Sequence, residues 1–206
     1  MTYILIHGLG QDASSWNHTL SNMKEIDDAI SLELSSFLRE KDSTYENLYS
    51  DFSAYCNSIP GQLHLCGLSL GAILALNYAI DYPEKIKSLV LIGAQYVMPK
   101  TLLKLQNIIF RFIPDSYFPK TGLKKKDFIR LTNSMQNLNF SSRLKDISCD
   151  TLIICGERDT VNKSAAKGLA ENITKAEITF IEKAGHEVNK EAPQKLAEVM
   201  KGFYRI

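Results

Sequence analysis

The stretch "HLCGLSLGAI", residues 64–73, decides how the rest of this chain is read. An apolar run, "QLHLC" (62–66), ends at Gly67, and "LGAILALNYAI" reads as a helix starting at Leu70. Ser69 therefore falls on a tight strand-to-helix turn, flanked at two residues' distance by Gly67 and Gly71. Such a turn forces an unfavourable backbone on the serine and brings neighbouring segments close, so a side chain at either flanking position would clash. A serine that merely decorates a surface needs no such neighbours. The pattern predicts a hydroxyl held up as a nucleophile.

Outward from this turn, short aliphatic runs alternate with longer amphipathic segments. Candidate strands are 3–6, 30–34, 62–66, 88–92, 151–155 and 177–181; candidate helices lie near 13–24, 43–58, 70–81, 163–172 and 191–204. Most of the strand runs are almost continuously apolar, as expected where helices cover both faces of a parallel sheet. Asn162 is the expected cap of the helix at 163–172, and Pro193 suits the first turn of the last one. The alternation predicts an α/β fold: a doubly wound, mostly parallel six-stranded sheet with helices on both faces, built by right-handed crossovers as a single domain over 1–206.

A serine hydroxyl becomes nucleophilic when a base takes its proton and an acid holds that base in one tautomer. In parallel sheets these groups collect on loops at the carboxyl ends of strands. Of the four histidines, His18 and His64 lie inside a helix-like and a strand-like stretch, and His7 is read as a loop former bonded to backbone. His186, behind a glycine in "EKAGHEVNKEAP", follows the final strand and is the candidate base. "TLIICGERDTV" delivers Asp159 just past its strand as the candidate acid, with Glu157 a rival two residues earlier. Ser, Asp, His is the chain order of this motif. An oxyanion needs donors already in place. The Leu70 amide at the helix N-terminus is one, and the Leu9 amide of "HGLGQDASSW" is the second.

The 206 residues suffice for one domain with a sizeable core. Apolar content of 45% and charged content of 23% are ordinary for a soluble globular protein. A net charge of +1 gives no overall bias toward nucleic acid. Cys56, Cys66, Cys149 and Cys155 have no metal-like spacing and read as structural thiols over redox or metal-binding ones. "MTYILIHG" has no signal-peptide pattern, and no apolar stretch approaches the roughly 20 residues that span a bilayer. A reduced, cytoplasmic protein acting on a small molecule, without nucleic acid or an integral membrane segment, is the expectation.

One segment breaks the rhythm. From 97 to 145 no strand is expected, and two helical stretches read "KTLLKLQNIIFRFI" and "KKKDFIRLTNSMQNL". Ten Lys/Arg face Asp115 and Asp127 there, a net of +8, which leaves −7 on the rest of the chain. An insertion of this length is usually functional. Leu102, Leu103, Leu105, Ile108, Ile109 and Phe112 would roof a site and favour an apolar acyl or alcohol group. Leu105, Ile109 and Phe112, with Leu68 and Trp16, are the candidate pocket residues, and core packing is an equal reading of Trp16. Lys124 to Lys126 read as a solvated helix start, with an anionic partner the alternative.

"IHGLG" with Trp16, "GLSLG", "GERD" and "AGHEVNKEAP", in this order and spacing, resemble the α/β-hydrolase superfamily over essentially the whole chain. The resemblance implies a serine hydrolase of esters or related acyl compounds that works through an acyl-enzyme without cofactor, with 97–145 as a helical cap. Larger members carry two further strands before the HG loop. Relatives often show Asp-x-Pro-Gly-His-Gly where "ELSSFLRE" stands, and a His or polar residue where Leu68 stands. The same fold also supports C–C hydrolases and lyases, acyltransferases, and ligand-binding receptors with vestigial turnover.

Overall fold

Six parallel strands are laid down in the order β2-β1-β3-β4-β5-β6. They are β1 Thr2–Ile6, β2 Ala29–Leu32, β3 Leu63–Leu68, β4 Ile86–Ile92, β5 Asp150–Gly156 and β6 Ala176–Ile181. The helices are α1 Asn17–Ser21, α2 Tyr45–Ser58, α3 Leu70–Asp81, α4 Lys125–Ser134, α5 Lys163–Asn172, α6 Val188–Glu191 and α7 Pro193–Tyr204. The computed structural model describes residues 2–38, 41–101, 103, 112, 114 and 123–206. The stretch expected as a helix over 100–113 lies largely outside the described residues.

The order reverses direction between β1 and β3, and a crevice opens outside the carboxyl ends of strands at such a switch point. The loop after β1 and the turn after β3 therefore meet there. Strand periodicity sorts the core into two layers. Ile4, Ile6, Leu65, Leu89, Leu91 and Ile153 face α2, α3 and α5. Leu5, Cys66, Leu68, Val90 and Ile154 face α1 and α7. β3 is buried along its whole length, whereas the edge strand β6 is mostly half-buried and exposes Glu177 and Phe180. Ten of the twelve residues of α3 are buried. At about 1.5–3 kcal/mol for each large aliphatic side chain, this helix is a main anchor of the fold.

The structure differs from the sequence reading in three places. The helix expected over 13–24 is a 3-10 turn at Ala13–Trp16 followed by the short α1. Asn162 occupies the N-cap position of α5, but its side chain makes no capping bond. Val97 and Asn139 form an isolated antiparallel bridge inside the segment expected to lack strand structure. Phe140 N–H donates to Tyr96 O (2.8 Å) and Met98 N–H to Leu138 O (3.1 Å), so the two ends of the long excursion are tied together.

His64, on β3, is stacked on Tyr3 at 4.3 Å and shares a 2.6 Å hydrogen bond between Nδ1 and Ser88 Oγ. Burial, with help from Lys87, pushes its pKa down from 6.5 to about 4. The folded state thus prefers neutral His64, and its stability is intact above pH 6.5 and lost as the pH falls toward 4. Unfolding by urea is expected to show a loss of about 2 kcal/mol from this group between pH 7 and pH 4.5. His64→Gln should flatten that part of the profile. An unchanged slope in the variant would assign the acid sensitivity elsewhere.

Candidate active site

Ser69 sits at the junction of β3 and α3 with φ 54° and ψ −113°. This left-handed-side backbone is strained for a residue with a Cβ, at about 1–3 kcal/mol. Two bonds hold it: Ser69 N–H donates to Ile92 O at 2.9 Å, and Ser69 O accepts from Ile73 N–H at 3.0 Å. The two glycines make the turn possible. A Cβ on Gly67 would lie 2.3 Å from Gly71 O, and one on Gly71 would lie 2.2 Å from Ile6 O. Both obstacles are backbone and cannot rotate away. The first turn of α3 is thereby pressed against the ends of β3 and β1.

Asp159 follows β5, its N–H donating to Gly156 O at 3.0 Å, and its side chain is 4% exposed. Its Oδ2 lies 2.7 Å from His186 Nδ1. The Nδ2 of Asn162 donates to both carboxylate oxygens, at 2.9 and 2.8 Å. Burial works against ionisation, but the bonds from His186 and Asn162 outweigh it and hold the Asp159 carboxyl below the usual carboxylate range. Asn162 Nδ2 is also 3.2 Å from His186 Nδ1. Two donors cannot bond each other, so with Nδ1–H committed to Asp159 this is a packing contact. The other ring nitrogen, Nε2, is then left as the basic one. Glu157, the rival acid, accepts instead from Lys183 N–H at 3.0 Å.

Ser69, Asp159 and His186 all line one cavity of about 550 Å3. Among the described residues no hydrogen bond joins Ser69 Oγ to His186, whose ring bonds Asp159 through Nδ1. Leu9 and Leu70 line the same cavity. Neither of their N–H groups donates to a backbone acceptor among the described residues. The remaining wall is mostly apolar, with Ile73, Met98, Leu103, Phe128 and Met135. His7 is a loop former, as read: its Nδ1 donates to Gly8 O at 2.8 Å and its Nε2 accepts from Leu34 N–H at 3.1 Å.

The pocket residues expected from sequence are corrected at three positions. Trp16 is fully buried in the layer under α7 and does not line the cavity, because a large apolar ring on this turn finds its burial against the core. Leu68 points to the same face as Cys66, two residues back along β3, and packs there beneath Gly8. Phe112 is 82% exposed. Leu105 and Ile109 lie outside the described residues.

Sequence reasoning missed three contributors. Gly93, at φ +56° just past β4, floors the imidazole: a Cβ there would be 2.9 Å from His186 Cε1. Glu191 on α6 accepts from the two amides flanking His186, Gly185 N–H at 2.7 Å and Glu187 N–H at 3.1 Å. Asn162 braces the carboxylate instead of capping its helix. A glycine ending an apolar strand was the one signal available for Gly93; Glu191 and Asn162 look like ordinary helix-start residues.

A parallel sheet with this switch-point elbow defines an α/β enzyme-type scaffold, and comparison with known proteins makes the class specific. The chain belongs to the alpha/beta hydrolase family, whose sequence model matches residues 3–199. It is similar to Monoacylglycerol lipase ABHD6 of Mus musculus, at 25% identity over 68% of this chain and 54% of the lipase. The chain thus spans about half the length of those curated relatives. It is also similar to the 2-hydroxy-6-oxononadienedioate/2-hydroxy-6-oxononatrienedioate hydrolase of Escherichia coli, at 26% identity over 90% of this chain and 80% of that one. Among solved structures, a membrane phospholipase A described as a bacterial virulence factor superposes with a TM-score of 0.83, covering 99% of this chain and 78% of its own, at 21% identity. At that identity the likeness is one of fold. Among the described residues no helix is long and apolar enough to cross a membrane.

Proposed function

We propose that this protein is a serine hydrolase that cleaves an ester of an apolar acyl group through an acyl-enzyme. Ser69 attacks the carbonyl, His186 takes its proton through Nε2 and returns it to the leaving group, and Asp159 keeps Nδ1–H in place. The amides of Leu9 and Leu70 receive the oxyanion. Water then repeats the sequence on the acyl-enzyme and frees Ser69. The single observation that carries this reading is the 2.7 Å Asp159–His186 pair on the wall of the cavity that also holds strained Ser69. An apolar wall favours an acyl chain over a charged one. The lipase among the relatives agrees with an ester substrate.

A fluorophosphonate is expected to label the protein one to one, and Ser69→Ala to abolish labelling. A series of p-nitrophenyl esters of increasing acyl length should then give a kcat/KM that rises with chain length until the cavity is filled. Labelling that survives Ser69→Ala would place the nucleophile elsewhere. A second reading, hydrolysis of a carbon–carbon bond by the same three residues, is favoured by one observation: the Escherichia coli relative aligns over 90% of this chain. Product analysis with a vinylogous 1,5-diketone against a simple ester separates the two.

A further inference from the structure

The loop after β1 and the loop carrying His186 are joined by a buried pair of side-chain amides. Gln11 is 4% exposed and Asn189, on α6, is 0% exposed. Each donates to the other: Gln11 Nε2 to Asn189 Oδ1 at 3.2 Å, and Asn189 Nδ2 to Gln11 Oε1 at 3.0 Å. The pair does not end there. Gln11 Nε2 also donates to Glu187 Oε1 at 2.8 Å, directly after His186, and Asn189 Nδ2 reaches Ser15 O at 3.3 Å. On the other side Gly8 N–H donates to Gln11 Oε1 at 3.4 Å, and Gln11 N–H donates to Gly8 O at 3.1 Å.

Leu9 is enclosed by these bonds. Gly8, before it, lies against the nucleophile, with a Cβ there only 3.4 Å from Ser69 Cβ. His7 fixes the start of the loop to the end of β2, and Gln11 fixes its other end to the histidine loop. Two buried side-chain amides are costly unless their polar atoms are matched, and here each finds partners only when both loops are in place. Resting on the hydrolase reading above, we infer that Gln11 and Asn189 act as one positioning clasp that sets the Leu9 amide and the His186 ring relative to each other over Ser69. Neither residue touches the reacting atoms. They act through the Gly8 backbone on one side of Leu9 and through the Glu187 side chain next to His186. Displacing a reacting group by about 1 Å is enough to cost on the order of a hundredfold in rate.

The test is a double-mutant cycle with Gln11→Ala, Asn189→Ala and both together. The readout is kcat on p-nitrophenyl butyrate per fluorophosphonate-labelled serine, so that misfolded protein is not counted. The clasp predicts that either single substitution lowers kcat by about 10- to 100-fold while KM changes less than about twofold. It also predicts that the double variant is no slower than the slower single. A merely structural pair would reduce the labelled fraction and leave kcat per labelled site intact, which would overturn the inference. Additive losses would overturn it too, because each residue would then act alone. If Gln11→Ala does not fold, Gln11→Glu keeps the size, removes the Nε2 donor and is read in the same way. Ser69→Ala separates the two levels. Turnover persisting in Ser69→Ala removes the hydrolase reading, whereas turnover lost there but parental in Gln11→Ala removes only the clasp.

Discussion

His186→Ala is expected to slow acylation of Ser69 by a factor on the order of 10⁴ to 10⁶, with the protein still folded. At neutral pH a serine hydroxyl holds its proton, and in the proposed mechanism the imidazole removes it. The imidazole is 40% exposed on the cavity wall, so its removal opens no large hole in the core. Stability should therefore change little while the chemistry collapses. Substrate binding should persist, since the wall made by Ile73, Phe128 and Met135 is untouched. The loss belongs in kcat and not in KM. Stopped-flow release of p-nitrophenol, with thermal unfolding of the same samples, checks both halves. Near-parental acylation by folded His186→Ala would end its assignment as base.

Gly71→Ala should be as damaging by a different route. One added methyl carbon would stand 2.2 Å from Ile6 O, 2.7 Å from Ile6 C and 2.8 Å from His7 O. None of these can swing aside, so either α3 or the end of β1 must move. Overpacking against side chains costs about 1–3 kcal/mol, and against fixed backbone the expected loss is about 3 kcal/mol or more. Any fraction that folds carries Ser69 displaced from the Leu9 loop and His186, and acylation should fall on the order of a hundredfold for each ångström of shift. Urea unfolding and fluorophosphonate labelling measure the two effects separately. A Gly71→Ala protein with parental midpoint and labelling rate would mean that the elbow tolerates far more slack than its contacts allow.

The regular part of the fold was legible because a parallel sheet covered on both faces demands continuous apolar runs. "SLVLI" and "TLIIC" can hardly be anything else, and β4 and β5 lie where they do. The helices at 70–81 and 163–172 fall on the expected residues. The 13–24 segment misled because Asp12 caps a 3-10 turn, its carboxylate accepting from Ser14 N–H at 2.9 Å, and the chain turns there before helical periodicity can build. Trp16 was readable as pocket or core, and the structure puts it in the core. Its position beside the HG loop suggested a pocket, but sequence adjacency does not say on which side of the sheet a ring is buried.

Composition and local pattern determined by themselves what depends on near neighbours: the strands, the long helices, the need for glycine around Ser69, and the order in which serine, aspartate and histidine leave their strands. These follow from backbone sterics and from apolar periodicity over a few residues. The tertiary structure alone decided what depends on residues far apart in the chain. It turned Asn162 from helix cap to carboxylate brace, set Gly93 under the imidazole, gave Glu157 to the Lys183 amide, and paired Gln11 with Asn189. A buried polar group takes whichever partner the packed sheet brings within hydrogen-bonding reach, and that partner has no signature in the residues beside it.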